Sequence, residues 1–235
     1  MPKPYYEKSG VTLYHGDSSE IIAELIRSGL DIESTLKVSD PPYNVGYHYD
    51  ACKDDMTDED YYRFMASIFS GRSVVIHYPE PIVRLSMEMR AVPQRIVSWV
   101  YPSNTPRQSR SIAWYGCKPD FRKDGQDYRN PKDPRIAERI AAGKRARLYD
   151  WWEINQVKNV STEKTDHPCQ IPLTLMERIL RITDNQEQPI LEPFAGSGTT
   201  LLAARNLGKK AIGIEMSERY CELIVKRLEL NESLV

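Results

Sequence analysis

The sequence predicts one α/β domain with a mainly parallel sheet, helices on both faces and a small basic insertion. At both ends of the chain, short apolar runs alternate with segments of helical periodicity, which is typical of strands joined by helices. Between them, residues 103–149 contain 12 Lys and Arg against 5 Asp and Glu. A chain of 235 residues can bury one sizeable core, so we expect a single domain over 1–235.

The first region, up to about residue 101, is predicted to alternate strands and helices. The predicted strands are 11–14, 35–38, 73–78 and 95–101, and the predicted helices are 19–28 and 57–69. Thr57 is the expected N-cap of the second helix, with Asp60 at the capping-box position. His77 lies in a predicted strand and is interpreted as a histidine of the core.

The last third of the chain returns to the same alternation. The predicted helices are 172–182, 199–207 and 218–230, and the predicted strands are 189–191 and 211–214. Gly208 follows the helix 199–207 as its expected C-cap. In the basic middle segment, residues 136–147 are predicted to form one helix.

Composition excludes several classes of protein. No apolar run approaches the roughly 18 residues of a membrane span, and the N-terminus lacks an apolar signal core. The four cysteines and four histidines are widely spaced, so the sequence predicts neither a disulfide framework nor a metal site. We expect a reduced, cytoplasmic protein that does not associate with membranes. The net charge of −1 conceals the local excess of +7 in residues 103–149.

A glycine-rich turn, Glu-Pro-Phe-Ala-Gly-Ser-Gly-Thr-Thr, connects a predicted strand to a predicted helix at 192–200. Such a turn lets a ligand approach the backbone and the helix N-terminus. Glu215 follows Gly196 by 19 residues, about the offset of an acid that binds ribose hydroxyls. Leu201 replaces the third glycine of the dinucleotide fingerprint, and no P-loop lysine is present. The pattern favours an adenosine without a pyrophosphate over a tight turn without a ligand.

The second motif, Asp-Pro-Pro-Tyr at 40–43, directly follows a predicted strand. Two prolines cannot continue that strand, so they form a stiff turn where open α/β sheets bind ligands. An Asp carboxylate and a rigid backbone carbonyl can accept the two N–H bonds of an exocyclic amine and stabilise the charge that develops as it attacks. Tyr43 could stack on a base taken out of the duplex. The alternative is a surface turn opened by Asp40.

Together, the two motifs resemble those of the S-adenosylmethionine-dependent amino-methyltransferases of DNA, in the beta arrangement that places the catalytic motif first. The resemblance covers nearly the whole chain and implies a Rossmann-like methyltransferase fold with a seven-stranded type of sheet. It implies S-adenosylmethionine as cofactor and the adenine form of the catalytic motif. The catalytic residues implied are Asp40, Pro41, Pro42 and Tyr43. The cofactor-binding residues implied are Asp17, Ser18, Asp40, His167, Phe194, Ala195, Gly196, Ser197, Gly198, Thr199, Thr200, Glu215 and Met216.

Three further segments take roles from the same resemblance. Residues 15–18 resemble the segment that contacts the adenine of the cofactor, and 166–172 the turn that covers its methionine end. Ile171 departs from the lysine common there, and backbone amides of 197–200 could substitute for its carboxylate contact. Residues 107–117 resemble a strand pair beside the pocket of the target base. Residues 44–50 are either a loop that closes over that base or an ordinary aromatic-rich loop.

The basic segment lies where the family inserts its target-recognition region, which we place at 117–150. Basic side chains there and just before it would neutralise DNA phosphates, and a few would contact base edges. The expected DNA-binding residues are Arg107, Arg110, Lys118, Arg122, Lys123, Arg129, Lys132, Arg135, Arg139, Lys144, Arg145 and Arg147. A solvated loop without a partner is the alternative.

The resemblance implies a site-specific enzyme that methylates N6 of adenine in double-stranded DNA by base flipping and direct displacement. The alternatives are cytosine N4, an RNA adenine or a protein amide as acceptor, and a catalytically inactive nucleic-acid-binding protein. Expected partners are DNA, a second copy of the chain in a homodimer and a separate restriction endonuclease. The enzyme would work in the cytoplasm of a bacterium or, if a virus encodes it, of the host.

Overall fold

The computed structural model describes residues 2–46, 55–159 and 161–230. The strands are β1 (Tyr6–Lys8), β2 (Val11–His15), β3 (Lys37–Ser39), β4 (Ser73–His77), β5 (Arg95–Val100), β6 (Ser109–Tyr115), β7 (Gly125–Gln126), β8 (Ala146–Arg147), β9 (Trp151–Glu153), β10 (Ile190–Glu192) and β11 (Ala211–Glu215). The helices are α1 (Ser18–Arg27), α2 (Asp58–Phe69), α3 (Pro79–Glu88), α4 (Pro134–Ala141), α5 (Leu173–Ile182), α6 (Thr199–Asn206) and α7 (Glu218–Leu230). No helix of these ranges has the length and apolarity that a membrane crossing needs.

A nine-stranded sheet has the order β1-β2-β11-β10-β3-β4-β6-β5-β9. The five strands from β2 to β4 in this order run parallel to one another, whereas β1 and β6 run antiparallel to their neighbours. Two strands from the end of the chain, β10 and β11, are therefore inserted between β2 and β3. This confirms the predicted α/β fold with a mainly parallel sheet.

The core has one layer on each face of the sheet. Helices α5, α6 and α7 cover one face and α1, α2 and α3 the other. Neighbouring residues of β4 show the alternation, because Val74 and Ile76 face the first layer and Val75 the second. All three are fully buried. A central strand covered on both faces explains why β4 is apolar throughout rather than alternating.

Most predicted elements lie within two residues of the observed ones. Thr57 caps α2 as expected, since its hydroxyl accepts a hydrogen bond from the backbone N–H of Asp60 at 3.2 Å. Gly208 follows α6 in the left-handed conformation, with φ of 66°. Helix α3, which begins at a proline, was not predicted. Of the loop expected at 44–50, residues 47–50 lie outside the described part of the chain.

Two expectations require correction. The helix predicted at 136–147 occupies Pro134–Ala141 instead, because Gly143 takes a φ of 69° and the following residues form β8, which pairs with β7. Residues 107–117 supply one strand, β6, rather than a strand pair. That strand is central, since it pairs with β4 on one side and β5 on the other.

A cluster of charges attaches the basic segment to the rest of the domain. Asp124 has a side chain only 7% exposed and accepts a hydrogen bond from Arg178 Nε of α5 at 3.0 Å. Arg145 and Arg181 each place a guanidinium nitrogen 3.6 Å from the same carboxylate. One buried acid therefore joins the segment to the helix layer through two arginines of α5, and Arg145 of the segment itself adds a third contact.

We predict that Asp124→Ala lowers the free energy of unfolding by about 2 kcal/mol, because it leaves the partly buried Arg178 without its acid. Chemical denaturation would measure the change. The matched control is Asp120→Ala, which removes an exposed pair with Arg122 in the same segment and should cost much less. Equal losses in the two variants would contradict the anchoring role of Asp124.

Candidate active site

The predicted site residues surround two adjoining cavities at the carboxyl ends of the parallel strands. The larger cavity has a volume of about 430 Å³, within the usual range for small-molecule sites, and the smaller about 40 Å³. Asp40, His167, Phe194 and Gly196 line both cavities. The catalytic and cofactor motifs, 150 residues apart in sequence, thus meet at one pocket, as predicted.

The remaining predicted residues divide between the two cavities. The larger cavity is lined by Asp17, Ser18, Pro41, Pro42, Tyr43, Glu215 and Met216. The smaller cavity is lined by Ala195, Ser197, Thr199 and Thr200. Gly198 lines neither cavity, because it lies on the far side of the loop, where a Cβ would come within 2.9 Å of Ile224 Cγ1. This contact and a φ of 75° require glycine at this position.

The glycine-rich loop is held from both sides. At Gly196, φ is 51° and a Cβ would lie 2.9 Å from His167 Nε2, so the covering turn approaches the bare backbone. Behind the loop, Arg227 of α7 donates to the carbonyl oxygen of Ser197 at 3.0 Å and to the hydroxyl of Thr199 at 2.7 Å. The loop and the first turn of α6 therefore present a fixed surface to the cavity.

Glu215 closes the other side of this loop. Its Oε2 accepts a hydrogen bond from the N–H of Gly196 at 2.7 Å, and its Oε1 accepts one from the N–H of Ser217 at 2.9 Å. Burial raises its pKa, although these hydrogen bonds oppose the change. A carboxylate oxygen can accept more than one hydrogen bond, so ribose hydroxyls could bind without breaking either contact.

His167 covers the loop as a neutral imidazole. Burial, with Lys164 and Arg227 nearby, lowers its pKa to about 4. Its ring packs edge-on against Tyr220 with centroids 4.7 Å apart. Nδ1 is buried, and no hydrogen-bond partner for it exists among the described residues. An unsatisfied polar atom beside a glycine cradle and an acid fits S-adenosylmethionine, which carries several hydrogen-bonding groups.

Asp40 follows β3 and is bound by two side chains. Its Oδ1 accepts a hydrogen bond from the hydroxyl of Tyr43, and its Oδ2 lies 3.3 Å from Arg110 Nη1 of β6. Burial raises the pKa of Asp40, whereas Arg110 and Tyr43 act to lower it. The carboxylate is thus largely buried beside a permanent counter-ion.

A hydrogen-bonded chain that was not predicted supports the catalytic motif. His77 Nδ1 accepts from the backbone N–H of Tyr78 at 2.7 Å, so the ring proton is on Nε2 and is donated to the hydroxyl of Tyr61 at 3.0 Å. Tyr61 in turn donates to the carbonyl of Pro42 at 2.7 Å. The ring of His77 stacks on Tyr43 with centroids 4.1 Å apart. Burial lowers the pKa of His77 to about 3, so the chain stays neutral.

Glu192, the first residue of the glycine-rich turn, was not predicted as a site residue, but it connects the two motifs. Glu192, the last residue of β10, accepts hydrogen bonds from the hydroxyl of Ser39 and, at 2.6 Å, from the hydroxyl of Thr200. Its Oε1 also accepts from the N–H of Phe194 at 3.1 Å. Burial raises the pKa of Glu192 to about 8. This acid ties the residue before Asp40 to the loop and to α6.

The expected DNA-binding residues fall into two groups. All except Arg110 are exposed. Several are already held: Arg122 and Arg135 pair with Asp120 and Asp133, and Arg129 lies over the rings of Tyr149 and Trp151 at 4.6 and 4.8 Å. Arg110 was expected on the same surface, but the fold buries it beside Asp40, because β6 is a central strand whose first residues lie at the pocket.

The described residues contain no group of three or more His, Cys, Asp or Glu that could hold a metal ion. Ile171, which departs from the family pattern, is buried and lines the smaller cavity. Its carbonyl oxygen accepts a hydrogen bond from the hydroxyl of Thr199 at 3.2 Å. The turn at 166–172 is thus attached to the start of α6 through its backbone.

Comparison with known proteins identifies the family of the chain. A family model described as DNA methylase, N6_N4_Mtase, matches residues 35–226. The type II methyltransferase M.ScaI of Streptomyces caespitosus is 31% identical over 97% of this chain and 84% of its own length. The DNA adenine methyltransferase YhdJ of Escherichia coli K12 is 26% identical over 93% of this chain and 83% of its own length.

Solved structures show the same fold. The M1.HpyAVI–SAM complex superposes with a TM-score of 0.59 at 26% identity and covers 93% of this chain and all of that one. The cytosine-N4-specific PvuII DNA methyltransferase superposes with a TM-score of 0.66 at 18% identity, over 96% of this chain and 88% of its own. The chain therefore belongs to the DNA methylase family of adenine-N6 and cytosine-N4 methyltransferases, which use S-adenosylmethionine as the methyl donor.

Proposed function

We propose that the protein methylates the exocyclic N6 of adenine at a specific site in double-stranded DNA. The observation that carries the proposal is the position of Asp40, which lines both the smaller cavity beside the glycine-rich loop and the larger cavity that contains Tyr43. Asp rather than Ser at the first position of the catalytic motif favours adenine over cytosine. Among the relatives, YhdJ is named an adenine methyltransferase, which supports the same choice.

Asp40 and the Pro41 carbonyl would hold the target amine. Each accepts one N–H of the nitrogen, which brings it towards tetrahedral geometry and stabilises the positive charge that grows during attack. The bound cofactor supplies an electrophilic methyl group. Tyr61 already donates to the Pro42 carbonyl, so the turn is rigid before the base arrives. Its reorganisation cost is therefore low.

Tyr43 would form one wall of the pocket for the extruded base. Its hydroxyl donates a hydrogen bond to Asp40 and its ring stacks on His77, so the position and the orientation of the ring are both fixed. A purine has a larger aromatic face than a pyrimidine and gains more from stacking on such a wall. The Tyr78 ring, edge-on to Tyr43 at 5.1 Å, continues the wall.

The cofactor would lie along the glycine-rich loop. We place its ribose against Glu215, its adenine against the segment that contains Asp17, Ser18 and Met216, and its methionine end beneath His167. The amides at the start of α6 would bind the carboxylate in place of the lysine that Ile171 replaces.

The exposed basic residues would bind the DNA backbone. We propose residues 117–150 as the target-recognition insertion, attached to the domain through Asp124. Helix α4 contains no buried residue, and its Arg135 and Arg139 are exposed. A helix that buries nothing in the free protein has its surface available for a partner, and the charge of this segment favours phosphates.

We predict that Asp40→Ala lowers the methylation rate by about 10³-fold or more while cofactor binding survives, since it removes a charge needed only in the transition state. Labelled S-adenosylmethionine, unmethylated double-stranded DNA and nucleoside mass analysis would measure the rate and identify the base. Asp31→Ala, an exposed acid at the opposite end of β3, is the control. N4-methylcytosine as product would keep the mechanism but refute the adenine assignment, and product formed only on RNA would refute the DNA assignment.

We predict that Tyr61→Phe lowers kcat about three- to tenfold without changing the affinity for S-adenosylmethionine, because it removes the hydrogen bond that holds the Pro42 carbonyl. Single-turnover kinetics and calorimetric titration of the cofactor would separate the two effects. Tyr62→Phe, on the next residue of α2, is the matched control. A loss of cofactor affinity equal to the loss of rate would argue against a role confined to the catalytic motif.

We predict that removing Arg139 and Lys144 together weakens DNA binding and lowers the slope of log Kd against log salt concentration by about 2, the counterion release of two phosphate contacts. Fluorescence anisotropy with a labelled duplex over a salt series would measure the slope. The control removes Arg63 and Arg84, exposed arginines of α2 and α3 that pair with acids. An unchanged slope in the first variant would place the DNA elsewhere.

A further inference from the structure

Arg110 occupies an unusual place for an arginine of a basic protein segment. It projects from the central strand β6 into the pocket, where its Nη1 lies 3.3 Å from Asp40 Oδ2. The side chains of Arg110 and Asp40 are only 12% and 11% exposed. A guanidinium buried this deeply does not face a phosphate backbone.

Aromatic rings hold the guanidinium in position. Its central carbon lies 4.9 Å from the ring centroid of Tyr43, 5.3 Å from that of Trp99 and 5.9 Å from that of Tyr78. Such contacts stabilise a desolvated cation and restrict its movement. Nε is buried, and no hydrogen-bond partner for it exists among the described residues. Packing against these rings, together with hydrogen bonds to Asp40 and Tyr101, therefore holds Arg110 in position.

The groups that face Asp40 come from four directions. They are Tyr43 from its own turn, Tyr101 after β5, Arg110 from β6 and Glu192 from β10. Burial raises the pKa of both tyrosines, so they stay neutral, and Glu192 is an acid. His77, behind Tyr43, also stays neutral. Arg110 is therefore the one permanent positive charge beside Asp40 in this set of groups.

Burial alone would favour the protonated form of Asp40. A protonated carboxyl would stabilise the growing positive charge on the target amine far less than a carboxylate, because charge-assisted hydrogen bonds are about twice as strong as neutral ones. Because Arg110 is charged at every accessible pH, its presence favours the carboxylate without any change in its own state.

We propose that Arg110 is a positioning residue that keeps Asp40 ionised and directs its carboxylate towards the target amine. The inference rests on the proposed role of Asp40. Arg110 does not itself contact the target amine or the methyl group that is transferred. It fixes the charge state of Asp40, which accepts an N–H of that amine, and it is part of the catalytic pocket rather than of the DNA-phosphate surface.

The test is the pH dependence of single-turnover methyl transfer to double-stranded DNA, with cofactor and DNA saturating, for the wild type, Arg110→Met and Arg110→Lys. An opposite charge at this distance lowers a carboxyl pKa by about one to three units. Without Arg110, the pKa of Asp40 rises further, so the rate should be lost at a higher pH as the solution is acidified. We expect Arg110→Met to move this acid limb up by about one pH unit or more, and Arg110→Lys to restore most of the shift.

Arg84→Met serves as the matched control, because Arg84 is exposed, pairs with Asp58 and lies over Tyr62 outside the pocket. Its acid limb should coincide with that of the wild type. Cofactor titration and the thermal unfolding midpoint of each variant would show that it is folded, and Arg110→Lys keeps the test available if Arg110→Met does not fold.

Three outcomes would overturn the proposal. The first is a rate lowered equally at every pH, and the second is an acid limb that does not move. The third is an acid limb that does not move, together with a weaker and less salt-dependent affinity for DNA. That result would mean that Arg110 contacts DNA phosphates. Failure of the proposed function is distinguishable, because the wild type itself would then form no N6-methyladenine in double-stranded DNA.

Discussion

The site depends on the pairing of strand β3 with strand β10. The N–H of Leu191 donates to the carbonyl oxygen of Leu36 at 2.9 Å, and the two strands run parallel. Parallel neighbours end at the same edge of a sheet, so Asp40 and the glycine-rich loop emerge side by side although 150 residues separate them. Glu192 then locks the two strand ends together through Ser39 and Thr200. A one-residue slip in this register would separate the carboxylate from the cofactor cavity.

Much of this arrangement could be predicted from the sequence, because its signals are local. The prolines at 41 and 42 and the glycines at 196 and 198 each mark the end of a strand, and the hydrophobic pattern identifies the strands themselves. Once the sheet is taken as parallel, strand ends must meet, so the cofactor and catalytic motifs could be placed together without any knowledge of the three-dimensional structure. The observed cavities contain nearly all of those residues.

The parts that could not be predicted depend on contacts between distant residues. Arg110 looked like one of twelve basic residues, and nothing near it in sequence distinguishes a buried arginine from an exposed one. His77 was correctly placed in a buried strand, but its connection to Pro42 runs through Tyr61 on another element. Helix α3 begins with a proline at its first position, a signal of a helix start that was not recognised. The helix predicted at 136–147 was too long because the turn at Gly143 was not recognised.

The order of strands also has a consequence for synthesis on the ribosome. In a sheet whose strands follow chain order, β2 and β3 would be neighbours, but here β11 and β10 lie between them. Both inserted strands are made long after β3. Until they emerge from the ribosome, the sheet edges of β2 and β3 that they cover stay open, and open edges with apolar side chains bind chaperones or aggregate. The catalytic turn is made early, but the pocket can form only after the strands that carry the glycine-rich loop and Glu215.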